Sequence, residues 1–204
     1  MDWQTLTAAQ PTLAHVPESL RQMAEPWDLA AGEHLFRIGD AVHAVFTVLD
    51  GEVRLIRRDR NGTEVVLQRS RGGFFAEASL NSKAYHCDAV AAEPSTMLRF
   101  PVQAFRSALD EDTSFRDAWM THLAREVRKL RAQCERLSLN SAADRVLHYL
   151  ESEGSDGSLV LNQTRKSWAA ELGLSHEALY RTLKRLQEDG KIDVCGNEIA
   201  IRAL

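Results

Sequence analysis

The stretch Thr164-Arg165-Lys166-Ser167-Trp168-Ala169-Ala170-Glu171-Leu172-Gly173-Leu174-Ser175-His176-Glu177-Ala178-Leu179-Tyr180-Arg181-Thr182-Leu183-Lys184-Arg185-Leu186-Gln187 decides how the last third of this 204-residue chain folds. Thr164 places a hydroxyl at the start of a helical run that ends at Leu172, where such a side chain satisfies an orphan backbone N–H. Gly173 then stands where a helix end takes positive φ, Leu174 follows as an apolar plug, and Ser175 caps a second run from His176 to Gln187. Gly190 closes it. Two helices joined by a short glycine-containing turn form a helix-turn-helix, whose second helix is shaped for the DNA major groove. Trp168, Ala169 and Leu172 in the first helix and Leu179, Leu183 and Leu186 in the second can share one core. His176, Glu177, Tyr180, Arg181, Lys184 and Arg185 are left facing outward. Positive charge is concentrated in this segment, although residues 140–204 as a whole are slightly acidic.

On the carboxy-terminal side, Lys191 to Ile201 reads as a hairpin with a Gly196-Asn197 turn, the wing of a winged helix-turn-helix, with Cys195 as an inert, half-buried small hydrophobe. On the amino-terminal side, a helix from Ala142 to Glu151 stops at Gly154-Ser155-Asp156-Gly157. Asn140 and Ser141 are capping residues that mark a hinge and a domain boundary near 140. Before them a long helix is expected from Thr113 to about Leu139. Its apolar residues Met120, Leu123, Val127, Leu130, Cys134 and Leu137 recur in the a/d rhythm of a coiled-coil seam. Two readings fit that stripe: a helix packed on its own domain, or one that pairs with its copy in a homodimer. A shorter helix from Pro101 to Leu109 precedes it.

The amino-terminal part reads as strands. His34–Phe36, Ala44–Leu49, Glu52–Arg57, Thr63–Gln68, Cys87–Ala92 and Thr96–Phe100 are separated by turns, of which Asp50-Gly51 and Asn61-Gly62 signal hairpins. Val53 and Leu55 alternate with Glu52 and Arg54, as on a strand with one wet face. A small β sandwich or barrel is implied, so the fold class is α+β. The expected division is 1–112 for the β domain, 113–139 for the long helix and 140–204 for the winged helix-turn-helix.

Composition narrows the function. An apolar fraction of 44% with a net charge of −4 excludes a disordered chain, and no apolar run reaches the roughly 18 residues of a membrane span. Met1-Asp2-Trp3-Gln4 does not begin a secretion signal. Three widely spaced cysteines, Cys87, Cys134 and Cys195, argue against a disulfide framework and for a reducing, cytoplasmic setting. The chain has no nucleophile elbow, phosphate loop or His-Glu-x-x-His motif, so an enzyme is not expected. Asp110-Glu111-Asp112 falls at a helix end as solvated surface.

The order of elements, with Phe36 … Gly39-Asp40 … Leu49-Asp50-Gly51 … Val53 and Leu172-Gly173-Leu174-Ser175-His176-Glu177 … Arg181-Thr182-Leu183, resembles the CRP/FNR family of bacterial transcription regulators from about His34 to Ile201. The resemblance implies a jelly-roll-like, double-stranded β-helix sensor, a dimerisation helix and a winged helix-turn-helix. It also implies a homodimer on a palindromic DNA operator, with RNA polymerase as a further partner. Arg181 is then expected to read guanine and Glu177 to accept from base amino groups. His176 is expected to meet a base or a phosphate. Thr164 and Arg165 would set register on phosphates, with Ser175, Tyr180 and Arg185 completing the DNA-contacting set. Met120, Leu123, Val127, Leu130, Cys134 and Leu137 would form the dimer seam. Tyr180 departs from the small residues usual at its position.

The sensor departs further. Cyclic-nucleotide binders of this family carry Gly-Glu followed about ten residues later by Arg-Ser or Arg-Thr, whereas this chain has Ala76-Glu77 and His86-Cys87. The glutamate is kept and the phosphate-neutralising arginine is lost, which speaks against cyclic AMP. The amino-terminal cysteine cluster of iron–sulfur sensors is also missing. The effector is left open between a metal, haem or redox signal at Glu77, His86, Cys87, Leu130 and Cys134, a small organic ligand, and no effector. Asp88 is an optional oxygen ligand. Neighbours on a strand face opposite ways, so only one of His86 and Cys87 points inward easily. The competing reading is a β-roll ligand sensor whose carboxy-terminal domain contacts protein instead of DNA.

Overall fold

The computed structural model describes residues 1–58, 60, 62 and 64–202. Asn61 of the second expected turn and Thr63 at the start of the following strand lie outside the described residues. Contacts divide the chain into two compact units, Met1–Ala124 and Arg125–Leu204.

In the first unit, short helices α1 (Trp3–Ala9) and α2 (Glu18–Arg21) precede strands β1 (Glu25–Leu29), β2 (His34–Phe36), β3 (Ala44–Asp50), β4 (Val53–Arg58), β5 (Glu64–Ser70), β6 (Gly73–Phe75), β7 (Asp88–Ala91) and β8 (Ser95–Pro101). Among the described residues they form two four-stranded sheets, ordered β1-β8-β3-β6 and β2-β7-β4-β5, antiparallel throughout. Alternate side chains of the two sheets face each other. Phe46, Val48, Val53, Leu55, Phe75, Ala89 and Met97 form one buried cluster. Phe36 stacks on Tyr85 in the same cluster, with ring centroids 3.7 Å apart. The other face of β3 and β8 is covered as well. Val45, Leu98 and Phe100 pack with Leu13, Leu20, Phe105, Phe115 and Trp119, which explains why β3 is buried almost continuously instead of alternating.

The Asp50-Gly51 hairpin expected from the sequence does not form. β3 pairs with β6 and β8, and β4 with β5 and β7, so the turn is a corner that carries the chain from one sheet to the other. The positive φ was legible: Gly51 lies at +86°, and a Cβ there would sit 2.5 Å from the Pro94 carbonyl oxygen. The strand partners were not, because β8 competes for the edge of β3 that a hairpin would use. The strands on either side of the second glycine do pair, β4 with β5 antiparallel from Val53↔Ser70 to Arg58↔Glu64, with a register shift between Leu55 and Ile56. Glu52, expected on a wet face, is buried. Its carboxylate pairs with Arg54 at 2.6 Å, Arg69 at 2.8 Å and Arg71 at 2.5 Å.

Helix α3 (Val102–Glu111) follows, with Pro101 closing β8 at its cap position and not within its first turn. Asp112 accepts the Phe115 N–H at 2.9 Å and starts α4 (Thr113–Ser138), which begins in the first unit and ends in the second. Then come α5 (Ala142–Glu153), β9 (Ser158–Val160), α6 (Arg165–Glu171), α7 (His176–Glu188), β10 (Ile192–Cys195) and β11 (Glu198–Ile201). The last three strands form a sheet ordered β10-β11-β9. Cys195 is exposed and not half-buried, because it pairs with Glu198 at the tip of the β10–β11 hairpin, beyond the core. Among the described residues no helix is long and apolar enough to cross a membrane.

Candidate nucleic-acid interface

The α6–turn–α7 segment is built by local hydrogen bonds. Thr164 Oγ1 accepts the Ser167 N–H at 3.1 Å, and Ser175 Oγ accepts the Ala178 N–H at 3.1 Å. Gly173, at φ +65°, donates its N–H to Ala170 O at 3.1 Å while Leu174 donates to Ala169 O at 2.8 Å. This is the paired closure of a left-handed helix cap. α7 ends the same way: Gly190 lies at φ +69°, and Lys191 donates to Leu186 O at 2.9 Å.

Beneath this frame Trp168, Ala169, Leu172, Leu179, Leu183 and Leu186 are all buried in one cluster with Val146, Leu150, Ile192 and Ile199. Burial of that stripe fixes which side chains of α7 face water. His176, Glu177, Tyr180, Arg181, Lys184 and Arg185 are exposed. His176 and Tyr180, one turn apart, meet edge to face at 4.7 Å. Lys184 leans toward Glu188 at 3.8 Å. Among the described residues Arg181 and Arg185 have no carboxylate partner. Arg165 is partly engaged, since its Nη2 donates to the Gly196 carbonyl at 2.8 Å and so ties the start of α6 to the wing turn.

Of the residues expected on the long helix, Met120 (60%), Val127, Leu130 (54%) and Leu137 are exposed apolar side chains and Cys134 is exposed. Leu123 is half-buried against the core of the first unit.

Of the expected effector residues, Glu77, His86 and Cys87 lie in the first unit. Glu77 opens a short 3-10 turn whose cap, Ala76, lies at φ +64°, a left-handed position. Cys87 is buried and His86 exposed, both in the bend that leads into β7, which starts at Asp88 and not at Cys87. Burial pushes the Cys87 thiol up, against the opposing pull of the Arg57 charge. His86 Nδ1 lies 3.0 Å from Ser79 Oγ. Leu130 and Cys134 belong to the other unit. Among the described residues no three His, Cys, Asp or Glu side chains converge to hold a metal ion.

Sequence reasoning missed three arginines here. Arg57 donates to the His86 carbonyl at 2.8 Å, a contact that follows from the β4–β7 register Ile56↔Asp88 and leaves no local signal. Arg136 and Arg145 bind the end of α4 to its neighbours.

Residues 26–112 match the family model described as cyclic nucleotide-binding domain, and residues 144–204 match the one described as Crp-like helix-turn-helix domain. The chain is 26% identical over 187 residues to the transcriptional activator protein anr of Pseudomonas aeruginosa, covering 85% of this chain and 75% of that protein. It is 28% identical over 174 residues to the cyclic AMP receptor protein of Thermus thermophilus, covering 84% and 81%. Among solved structures, DNR from Pseudomonas aeruginosa superimposes with a TM-score of 0.54 at 25% identity, over 100% of this chain and 96% of that one. FixK2 from Bradyrhizobium japonicum has the same fold, with a TM-score of 0.67 at 20% identity over 88% and 93%.

Proposed function

Given that the chain belongs to the CRP/FNR family of transcription regulators, with a cyclic-nucleotide-binding domain and a helix-turn-helix DNA-binding domain, we propose that it is a homodimer that reads a palindromic operator through α7 and acts on RNA polymerase. The observation that carries this reading is the pair of uncompensated guanidiniums, Arg181 and Arg185, on the wet face of a helix whose opposite face is sealed. The Arg181 fork matches the two acceptors on the guanine edge, and Glu177, one turn earlier, accepts from a cytosine or adenine amino group. His176 and Tyr180 sit beside them as one packed pair. Thr164, Arg165, Ser175 and Arg185 contact phosphates and set register.

The division of labour follows. Residues 1–112 sense, 113–139 dimerise and 140–204 read. Met120, Val127, Leu130, Cys134 and Leu137 form the seam with Leu123, since a stripe of exposed apolar side chains on one helix is covered most simply by its own copy. The departure from the family at His86 speaks against cyclic AMP as the effector. His86 stands where the family's arginine neutralises the phosphate, it faces water, and the nearby Arg57 is exposed, so neither supplies a buried phosphate there with a buried cation.

The test is selection of duplexes from a random library by the full-length protein, followed by Arg181→Ala. The substitution is expected to cost about 1–3 kcal/mol and to relax preference at one base pair of each half-site. An unchanged sequence preference refutes the assigned register. Binding that is insensitive to salt favours the competing reading, in which this domain contacts protein, because phosphate neutralisation releases counterions.

A further inference from the structure

One side chain ties the turn between α6 and α7 to the end of α4. Arg145, on α5, donates from Nε to Leu139 O at 2.9 Å and from Nη2 to Leu137 O at 3.4 Å, both at the carboxy-terminal end of α4. From Nη1 the same guanidinium donates to Leu172 O at 3.2 Å and Gly173 O at 3.4 Å, at the end of α6. The physical reason for a cation there is plain. A helix end leaves carbonyls without intrahelical partners and carries the negative pole of the helix dipole. Two such ends converge, and a planar fork with five donors can serve both at once. Leu137 lies near the same glycine: a Cβ at Gly173 would lie 3.0 Å from Leu137 Cδ2.

A second arginine braces the same joint. Arg136, in the last turn of α4, is 1% exposed. Its Nη2 donates to Ser152 Oγ at 2.9 Å and Glu153 Oε1 at 3.1 Å, and its guanidinium lies 4.3 Å from the centre of the Tyr149 ring. All of these groups lie in the Arg125–Leu204 unit.

We infer that Arg145 is a positioning residue for operator reading: by locking the α6–α7 turn to the end of α4, it sets the spacing between half-sites that the protein accepts. The inference rests on the dimeric, α7-reading function proposed above. In a two-fold dimer each α7 is carried by the end of its own α4, so slack at this joint enters the distance between the two recognition helices twice. One base pair more or less between half-sites displaces them by about 3.4 Å and rotates them by about 35°. Only a stiff joint rejects such a change.

The experiment uses the full-length protein as wild type, Arg145→Ala and Arg145→Lys, with the palindrome selected by the wild type. Binding is measured by fluorescence anisotropy on that duplex, on versions with one base pair added or removed at the centre, and on a duplex with a single half-site. Sedimentation reports the dimer. The wild type is expected to prefer its own spacing by about tenfold or more, a difference of about 1.4 kcal/mol. In both variants the preference is expected to fall to about threefold or less, while single half-site affinity stays within about twofold, because the Arg181 face is untouched. Lysine does not restore the preference, since a point donor reaches only one of the two helix ends. If Arg145→Ala sediments as an unfolded chain, the lysine variant decides alone. A variant that keeps the wild-type spacing preference, or loses half-site and palindrome affinity in equal proportion as an intact dimer, overturns the inference and leaves the DNA-reading function standing. A wild type that is monomeric or ignores palindromes overturns both.

Discussion

Gly173→Ala tests the turn on which the reading helix depends. Gly173 lies at φ +65°, and an L side chain in that left-handed region costs about 1–2 kcal/mol. The added methyl would also lie 3.0 Å from Leu137 Cδ2 and 3.2 Å from Arg145 Nη1, so each neighbour has to give by a few tenths of an ångström. Leu137 is the far end of a flexible side chain, 44% exposed in the single chain, and gives more easily than the guanidinium. Arg145 cannot move without weakening its bonds to Leu172 and Gly173, each worth about 0.5–1.5 kcal/mol net. The total is about 2 kcal/mol, which lowers the melting temperature of a unit this size by roughly 10 °C. Differential scanning calorimetry on the full chain measures it. Gly173→Asn separates the two causes: its Cβ makes the same contacts, but asparagine tolerates the left-handed region, so it is expected to lose less than alanine. If alanine and asparagine melt together, or alanine melts with the wild type, the turn does not hold positive φ and the placement of α7 fails with it.

Leu130→Glu is expected to raise the dimer dissociation constant at least about a hundredfold, since it removes about 1–2 kcal/mol of apolar burial per protomer and sets like charges across the seam; sedimentation equilibrium checks it, and an unchanged dimer moves the interface elsewhere. Glu52 gives a pH dependence to the sensor unit. Burial raises its carboxyl pKa, but the Arg54 hydrogen bond and the charges of Arg71, Arg54 and Arg69 outweigh that and hold it below the ordinary carboxylate value of 4.5. A depressed folded pKa means the contribution is complete above the unfolded value and is lost as pH falls through the folded one. Thermal melts of the wild type are therefore expected to drop below about pH 4.5 by more than those of Glu52→Gln, which already lacks about 1–3 kcal/mol at neutral pH; parallel acid curves for the two proteins refute the role.

What was legible in the sequence follows the range of the interaction. The caps Thr164 and Ser175, the glycines at 173 and 190 and the six buried positions of α6 and α7 are all set by residues within a few positions of each other. The misses are long-range or weak locally. β1 carries Pro26, which a strand tolerates at the edge of a sheet, and β1 is an edge strand. β6 and β9 are three residues each, too short for period-two alternation to register. α1 buries no residue, so it leaves no apolar stripe to find. The Asp50-Gly51 corner was misread because a turn signal specifies backbone shape and is silent on which strand pairs with which. Arg145 was invisible because its four acceptors come from positions 137, 139, 172 and 173.

The expected phosphate contacts of Thr164, Ser175 and Arg165 have to be reconciled with the work these residues already do inside the fold. A hydroxyl that caps a helix accepts through its oxygen, so its own proton stays free. Thr164 and Ser175 accept from Ser167 and Ala178 and can still donate outward to a phosphate oxygen. A guanidinium carries five N–H groups, and Arg165 commits one of its ends to Gly196, leaving donors for a second anion. The Gly196 bond has a consequence for affinity: it holds Arg165 in place before DNA arrives, so less rotamer freedom is lost on binding than from a mobile arginine. Arg181 and Arg185 show the opposite arrangement, with no carboxylate partner among the described residues to surrender. Three of the register-setting groups, Thr164, Ser175 and Arg165, are therefore held by the fold, while the base-reading Arg181 and the phosphate-contacting Arg185 are left without a carboxylate partner among the described residues. A chain of net charge −4 needs that separation, because its overall field repels DNA and attraction has to come from a few cations that the protein leaves uncompensated.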